Sequence, residues 1–176
     1  MSEYIEKIRS ICGLINSTPI DDYATVMEMA AVMLKNYFNA GSALVFIIEK
    51  NGQLVCVSRT GYGVGAEHAH GFAAIPYFYA VMKSETISEA ADAHRAEAPF
   101  LGNPSLLAPL IANGEPFGLA VINAPSENPI TDDSSVEAGA VFSILSTLVY
   151  NAVLFRELHG KESDLLTKNE ELSLSL

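Results

Sequence analysis

SLLAPLIANGEPFGLAVINA, residues 105–124, is the stretch that decides the fold. Asn113-Gly114 stands at its centre, a dipeptide that accepts the positive φ of a two-residue hairpin turn, so the segment reads as two antiparallel strands. An antiparallel hairpin with one face in water alternates apolar with polar residues, and this one does not. A two-residue turn pairs Ala112 with Glu115, Leu110 with Phe117, Ala108 with Leu119 and Leu106 with Val121, all on one bulky face. Leu107, Pro109, Ile111, Gly118, Ala120 and Ile122 form the other, where Pro109 and Gly118 leave room for a second backbone. Both faces therefore need a cover.

Helices at the two chain ends supply one. Tyr4, Ile5, Ile8, Ile11, Cys12 and Ile15 fall at helical spacing and predict a first helix that stops at 16–19. A second starts at Asp21-Asp22, whose carboxylates suit the positive end of the helix dipole. It turns Tyr23, Val26, Met27, Ala30, Leu34, Tyr37 and Phe38 inward and ends at Asn39-Ala40-Gly41. The period then becomes strand-like over 43–49 and 53–59, around Asn51-Gly52, which predicts a first two-residue hairpin. Residues 60–104, with the glycine-rich TGYGVGAEHAHG, a short helix in IPYFYAVMK and a brief strand at ETI (85–87), are what remains to cover the other face.

After NAPSENPITDD a long helix begins, with Thr131 or Ser134 as N-cap. Val136, Ala140, Val141, Ile144, Leu145, Leu148, Val149 and Ala152 make a wide stripe, as on a helix packed against a core. Phe155, Leu158, Glu162, Leu165, Asn169, Leu172 and Leu176 make a narrow one in steps of three and four, the a/d seam of a coiled coil. Asn169 at an a position costs stability but selects a parallel, in-register pair, because two amides bond only when level with each other. The chain thus divides into an N-terminal helix (1–19), a globular domain (20–154) and a coiled-coil helix (155–176).

The 176 residues carry a formal charge of −11, which repels phosphate backbones and anionic headgroups, so neither nucleic acid nor a membrane surface is an expected partner. The sequence presents no apolar run of the ~18 residues a spanning helix needs, and a cytoplasmic protein is expected. Cys12 and Cys56 make neither a disulfide framework nor a zinc set. Both read as packing thiols, Cys56 on one face with Val45, Ile47 and Leu54, and Cys12 in the core or a dimer interface.

At this point the sequence resembles the GAF domains, small-molecule sensing and regulatory modules of signalling proteins. The resemblance rests on residues 105–125, above all Ser105-Leu106-Leu107, Pro109-Leu110, Asn113-Gly114-Glu115 and Gly118. ITDDS at 130–134 and DAHR at 92–95 add to it, and it covers most of residues 20–158. It implies an α+β, PAS/profilin-like fold, in which an antiparallel sheet of five or six strands has terminal helices on one face and a lid of loops and short helices over a ligand pocket on the other. It also implies a homodimer joined by the helices, with an exit helix feeding an output domain of the sensor-kinase or cyclic-dinucleotide-enzyme type, as in two-component signalling. Residues 60–80 lack the Cys-His pair that anchors a bilin in phytochrome-like members, so no covalent tetrapyrrole is expected and the ligand stays open.

On this reading the pocket candidates are Ser58, Tyr62, His68, His70, Phe72, Tyr77, Tyr79, Asp92, Arg95, Ser105 and Leu107, with the aromatic residues as walls. His68 and His70 have the i, i+2 spacing of a metal pair, but no carboxylate or cysteine completes a set, and they read as loop histidines. The dimer candidates are Ile8, Cys12, Ile15 and Leu148 together with the seam from Phe155 to Leu176. No catalytic group is expected. Free methionine sulfoxide reductases are single GAF domains of similar length, but they use cysteines around the pocket, and residues 57–176 contain none.

Overall fold

Asp22 begins the first well-packed helix. Its Oδ1 accepts from the Thr25 amide at 3.2 Å and its Oδ2 from the Thr25 hydroxyl at 2.6 Å, and these bonds hold its carboxyl below the usual value. Val26, Met27, Ala30, Leu34 and Phe38 are buried as their spacing predicts, and Asn39 ends the helix with a φ of 45°. The computed structural model describes residues 2–17, 21–61, 72–125 and 135–174. Its helices are α1 (Ser2–Ser17), α2 (Tyr23–Tyr37), α3 (Pro76–Ser84), α4 (Asp92–Glu97) and α5 (Ser135–Leu174). Its strands are β1 (Ser42–Ile48), β2 (Leu54–Thr60), β3 (Ser88–Glu89), β4 (Ser105–Ala112) and β5 (Glu115–Asn123). They form one antiparallel sheet in the order β2-β1-β5-β4-β3. The brief third strand lies just after ETI, not on it.

The two Asn-Gly hairpins close differently. Asn113 (φ 55°) and Gly114 (φ 79°) both take positive φ, the expected two-residue turn, and Ala112 pairs with Glu115. The first hairpin corrects its expectation. The Glu49 amide donates to the Gln53 carbonyl, the Gly52 amide donates to the Glu49 carbonyl, each at 2.8 Å, and only Gly52 has positive φ. That is a three-residue loop with a glycine bulge.

The sheet also holds two bulges, and the one in β5 corrects the predicted faces. Leu110 pairs with Gly118 while Ile111 pairs with Pro116, so Phe117 is the extra residue, and every pair beyond it shifts by one: Ala108 to Ala120, Leu106 to Ile122. Likewise Val45 pairs with Ser58 but Phe46 with Cys56, which makes Val57 extra. Because strand side chains have a period of two, one inserted residue sends its successors to the opposite side. Leu119 and Val121 thus leave the face of Leu106 and Ala108. Cys56 and Leu54 lie between the three-residue loop and the bulge at Val57, and it is the loop that makes them join Phe46 and Leu44, not Val45 and Ile47.

Each face has its own core. One joins Val45, Ile47, Leu106, Ala108, Leu110, Ala120 and Ile122 to α2, to the buried residues of α5 and to Ile11 of α1. The other joins Leu44, Phe46, Leu54, Leu107, Leu119 and Val121 to Phe72, Ile75, Phe78, Val81 and Met82 of the lid. α5 does hold an apolar window long enough to cross a bilayer, contrary to the sequence reading. In this fold its Val141, Phe142, Leu145, Leu148 and Val149 are packed in the helix-side core. Val136, expected on that stripe, is exposed.

Candidate functional site

The lid is set on the sheet by aromatic rings. Pro76 opens α3, where its fixed φ is preorganised and its missing amide costs no bond. One turn of that helix then presents Phe78 to Phe46, edge to face at 5.4 Å between centroids. Phe100 meets Phe78 at 6.0 Å and Phe72 at 5.3 Å. Tyr79 uses its hydroxyl to accept the Leu54 amide at 2.8 Å, tying α3 to the start of β2. Tyr77 lies flat on His94 of α4, 3.6 Å between centroids, and its hydroxyl donates to the Glu89 carbonyl at 3.3 Å; partial burial raises the pKa of that phenol.

Behind the lid a polar clasp joins three strands. Asn123 Oδ1 accepts from Ser105 Oγ at 2.6 Å and from the Gly102 amide at 2.9 Å, while its Nδ2 donates to Ser42 Oγ at 3.0 Å and to the Phe100 carbonyl at 2.9 Å. Arg95 extends the clasp to α4: its Nε donates to the Gly102 carbonyl at 2.7 Å, and its Nη1 pairs with Asp92. Ser42, Ser105 and Asn123 are all buried, and buried polar groups need such partners.

Two hollows open at the rims. A groove of about 390 Å³ runs along the outer strand β2, lined by Val55, Cys56, Val57, Ser58, Arg59, Phe72 and Ala73. The Arg59 guanidinium stands 4.7 Å over the Phe72 ring, a cation–π contact at its mouth. The Cys56 thiol donates to the Ser58 carbonyl at 3.5 Å, and burial pushes its pKa up to about 11, which leaves almost no thiolate at neutral pH. The second hollow, about 510 Å³, lies between the β1–β2 turn and the middle of α5. No group of three or more His, Cys, Asp or Glu side chains capable of holding a metal occurs among the described residues.

Solved structures share this arrangement. The GAF domain of an Acinetobacter phosphoenolpyruvate-protein phosphotransferase superposes with a TM-score of 0.64 at 14% identity, over 88% of this chain and 96% of that one. The chain has the GAF fold. A methyl-accepting chemotaxis protein fragment matches with a TM-score of 0.61 at 12% identity (85% and 99% covered). The free methionine-R-sulfoxide reductase of Neisseria meningitidis, solved with its substrate, matches at 0.63 and 14% (86% and 90%). No family model matches the sequence, and no curated protein matches it either.

Within the GAF fold the expected pocket residues separate. Ser58 and Phe72 line the β2 groove. Tyr77, Tyr79 and Arg95 hold the lid in place through the contacts above. Ser105 and Leu107 are both fully buried, Ser105 bonded within the clasp opposite Asn123 and Leu107 in the lid-side core. The Asp92 side chain is 92% exposed and faces Arg95. Tyr62, His68 and His70 lie outside the described residues.

Among the dimer candidates, Leu148 is spent in its own subunit's core, and Cys12 is exposed while its neighbour Ile11 is buried. Phe155, Leu158, Leu165 and Leu172 are 42%, 62%, 67% and 63% exposed. The side chains of Ile8 and Ile15, and all of Leu176, fall outside the described set. Sequence reasoning passed over Asn123 and His94. The signal for Asn123 was an amide at the end of the otherwise apolar strand LAVIN; for His94 there was none beyond its place in DAHR.

Proposed function

We propose that the chain is a cytoplasmic, non-catalytic sensing module that binds a small molecule on its lid side. It signals as a homodimer through paired C-terminal helices to an output domain of the sensor-kinase or cyclic-dinucleotide-enzyme type. One observation carries the reading: α5 is a single helix that is core on one half and exposed, with an apolar seam, on the other. Its core half is tied to the hairpin. Ser146 Oγ accepts the Ile111 amide at 3.2 Å, and Phe117 meets Tyr150 edge to face at 5.2 Å. At the exit, Arg156 stands 4.1 Å over the Tyr23 ring of α2. A ligand that binds one packing of lid on sheet more tightly than another shifts that equilibrium by its differential affinity, and α5 is joined to the same sheet from behind. The chemotaxis and phosphotransferase neighbours support a regulatory role; the reductase neighbour shows that the fold is also used for catalysis. Here the raised Cys56 pKa and the lack of any cysteine after it speak against that chemistry.

A ligandless dimerisation module is the second reading. It is favoured by the ring-on-ring contacts of Phe46, Phe72, Phe78 and Phe100 where lid meets sheet. Native mass spectrometry of the purified protein tests both. A dimer retaining a small molecule is the expected result, a dimer empty across a metabolite panel selects the second reading, and turnover of free methionine sulfoxide with a thiol reductant overturns both.

A further inference from the structure

The hollow between the β1–β2 turn and α5 lies away from the lid, at the point where α5 leaves the core: Ala152 is the last buried residue of that helix among the described ones. Its volume of about 510 Å³ is in the range of small-molecule sites. One wall is a single face of α5, since Val153, Arg156, Glu157, Gly160, Lys161 and Asp164 follow one another at helical spacing. The other is the turn, which is fixed before any ligand arrives. Beyond the backbone bonds of the loop, Asn51 Oδ1 accepts the Gln53 amide at 2.9 Å and Asn51 Nδ2 donates to Gln53 Oε1 at 3.2 Å.

Three features of this hollow point to a ligand. Lys50, Arg156 and Lys161 share the lining with Glu49, Glu157 and Asp164, yet no ion pair forms among these six. Gly160 stands in the middle of the α5 wall, where glycine weakens a helix relative to alanine. Packing does not require it, because a Cβ at 160 would meet nothing within 4 Å; its effect is to leave the space between Glu157 and Asp164 open. Behind Arg156, whose guanidinium stands 4.1 Å over the Tyr23 ring, the Tyr23 hydroxyl is buried with no hydrogen-bond partner. Stacking uses the face of the guanidinium and leaves the donors at its edge available for a carboxylate.

The balance of charge selects the class of ligand. A lone anion meets three carboxylates here and a lone cation meets three basic groups, whereas a molecule bearing both an ammonium and a carboxylate is attracted by both sets. We propose that this hollow is a second ligand site, separate from the lid side, that takes a small zwitterion of the amino-acid or short-peptide class and braces α5 against the β1–β2 turn where the helix leaves the domain.

Amide NMR of the full chain titrated with dialanine and a panel of free amino acids tests the proposal, with N-acetylated and C-amidated dialanine as singly charged controls. The zwitterions are expected to shift residues 48–51 and 153–164 and to slow amide exchange in 153–164. Either control, and either of Glu157→Gln and Lys161→Gln, is expected to weaken binding about tenfold. Gly160→Leu is expected to raise the melting temperature while abolishing the shifts, since it strengthens the helix and fills the hollow. Shifts confined to the lid around Phe72 and Phe78, no shifts with any of these compounds, or undiminished binding by Gly160→Leu overturn the site. Equal binding of the singly charged forms overturns the zwitterion class.

Discussion

The two faces of the sheet are both apolar yet built to different rules. The helix side is mainly aliphatic and backed by two long helices, and its Leu34, Val45, Leu110, Leu145 and Val149 are almost wholly withdrawn from water. The lid side is aromatic and covered by helices of nine and six residues. It is pinned at a few points: Tyr79 on β2, Tyr77 on His94, and Arg95 with Asn123 at the loop before β4. Short elements held by few contacts open locally at lower cost than elements that unfold only with the whole core. The contrast assigns rigidity to the side that carries α5 and adaptability to the lid side.

The strongest way to break this contrast is Leu145→Ala. It removes a fully buried side chain between α5 and the sheet, and a loss of about 2–5 kcal/mol in global stability is expected by chemical denaturation. A loss below about 1 kcal/mol would mean that this face is loosely packed. Asn123→Ala comes next. It takes a partner from the Ser42 hydroxyl and the Gly102 amide, while Ser105 keeps its bond to the Gly102 carbonyl, and about 1–3 kcal/mol should be lost, with faster hydrogen exchange concentrated in residues 98–104. Tyr77→Ala removes the stack on His94, the bond to Glu89 and a half-buried ring at the edge of the lid-side core, so a cost of about 0.5–1.5 kcal/mol is expected. It should appear as faster exchange in α3 and α4 with β4 and β5 unchanged; equal acceleration everywhere would erase the distinction between the faces.

The mildest probe leaves the sequence intact. At pH 8 a thiol reagent should label exposed Cys12 promptly and Cys56 orders of magnitude more slowly. Raising the pH toward 11 increases the Cys56 thiolate and should speed its reaction, because burial disfavours the charged form that reacts. Equal labelling of both thiols at pH 8 would show that the lid side does not exclude solvent from β2.

How much of this was legible beforehand can be seen residue by residue. Asp21-Asp22 as a helix start, Asn113-Gly114 as a turn, and Val26, Ala30 and Leu34 as a buried stripe all arise from interactions within a few positions along the chain. So did the need to cover both faces of the 105–124 hairpin. The pocket candidates were less legible. Ser105 is polar on an apolar strand whether it meets a ligand or Asn123, 18 residues away, and nothing local distinguishes the two cases.

The sequence by itself determined the order of elements, the second turn and the change of stripe along α5, because periodicity and turn chemistry act over short distances along the chain. Only the tertiary structure decided where the strands slip. The three-residue loop at 50–52 moves Cys56, and the bulge at Phe117 moves Leu119 and Val121, from one core to the other. A strand repeats every two residues, so a single extra residue turns every later side chain to the opposite face, and the packing of β1 against both its neighbours fixes where that residue is accommodated.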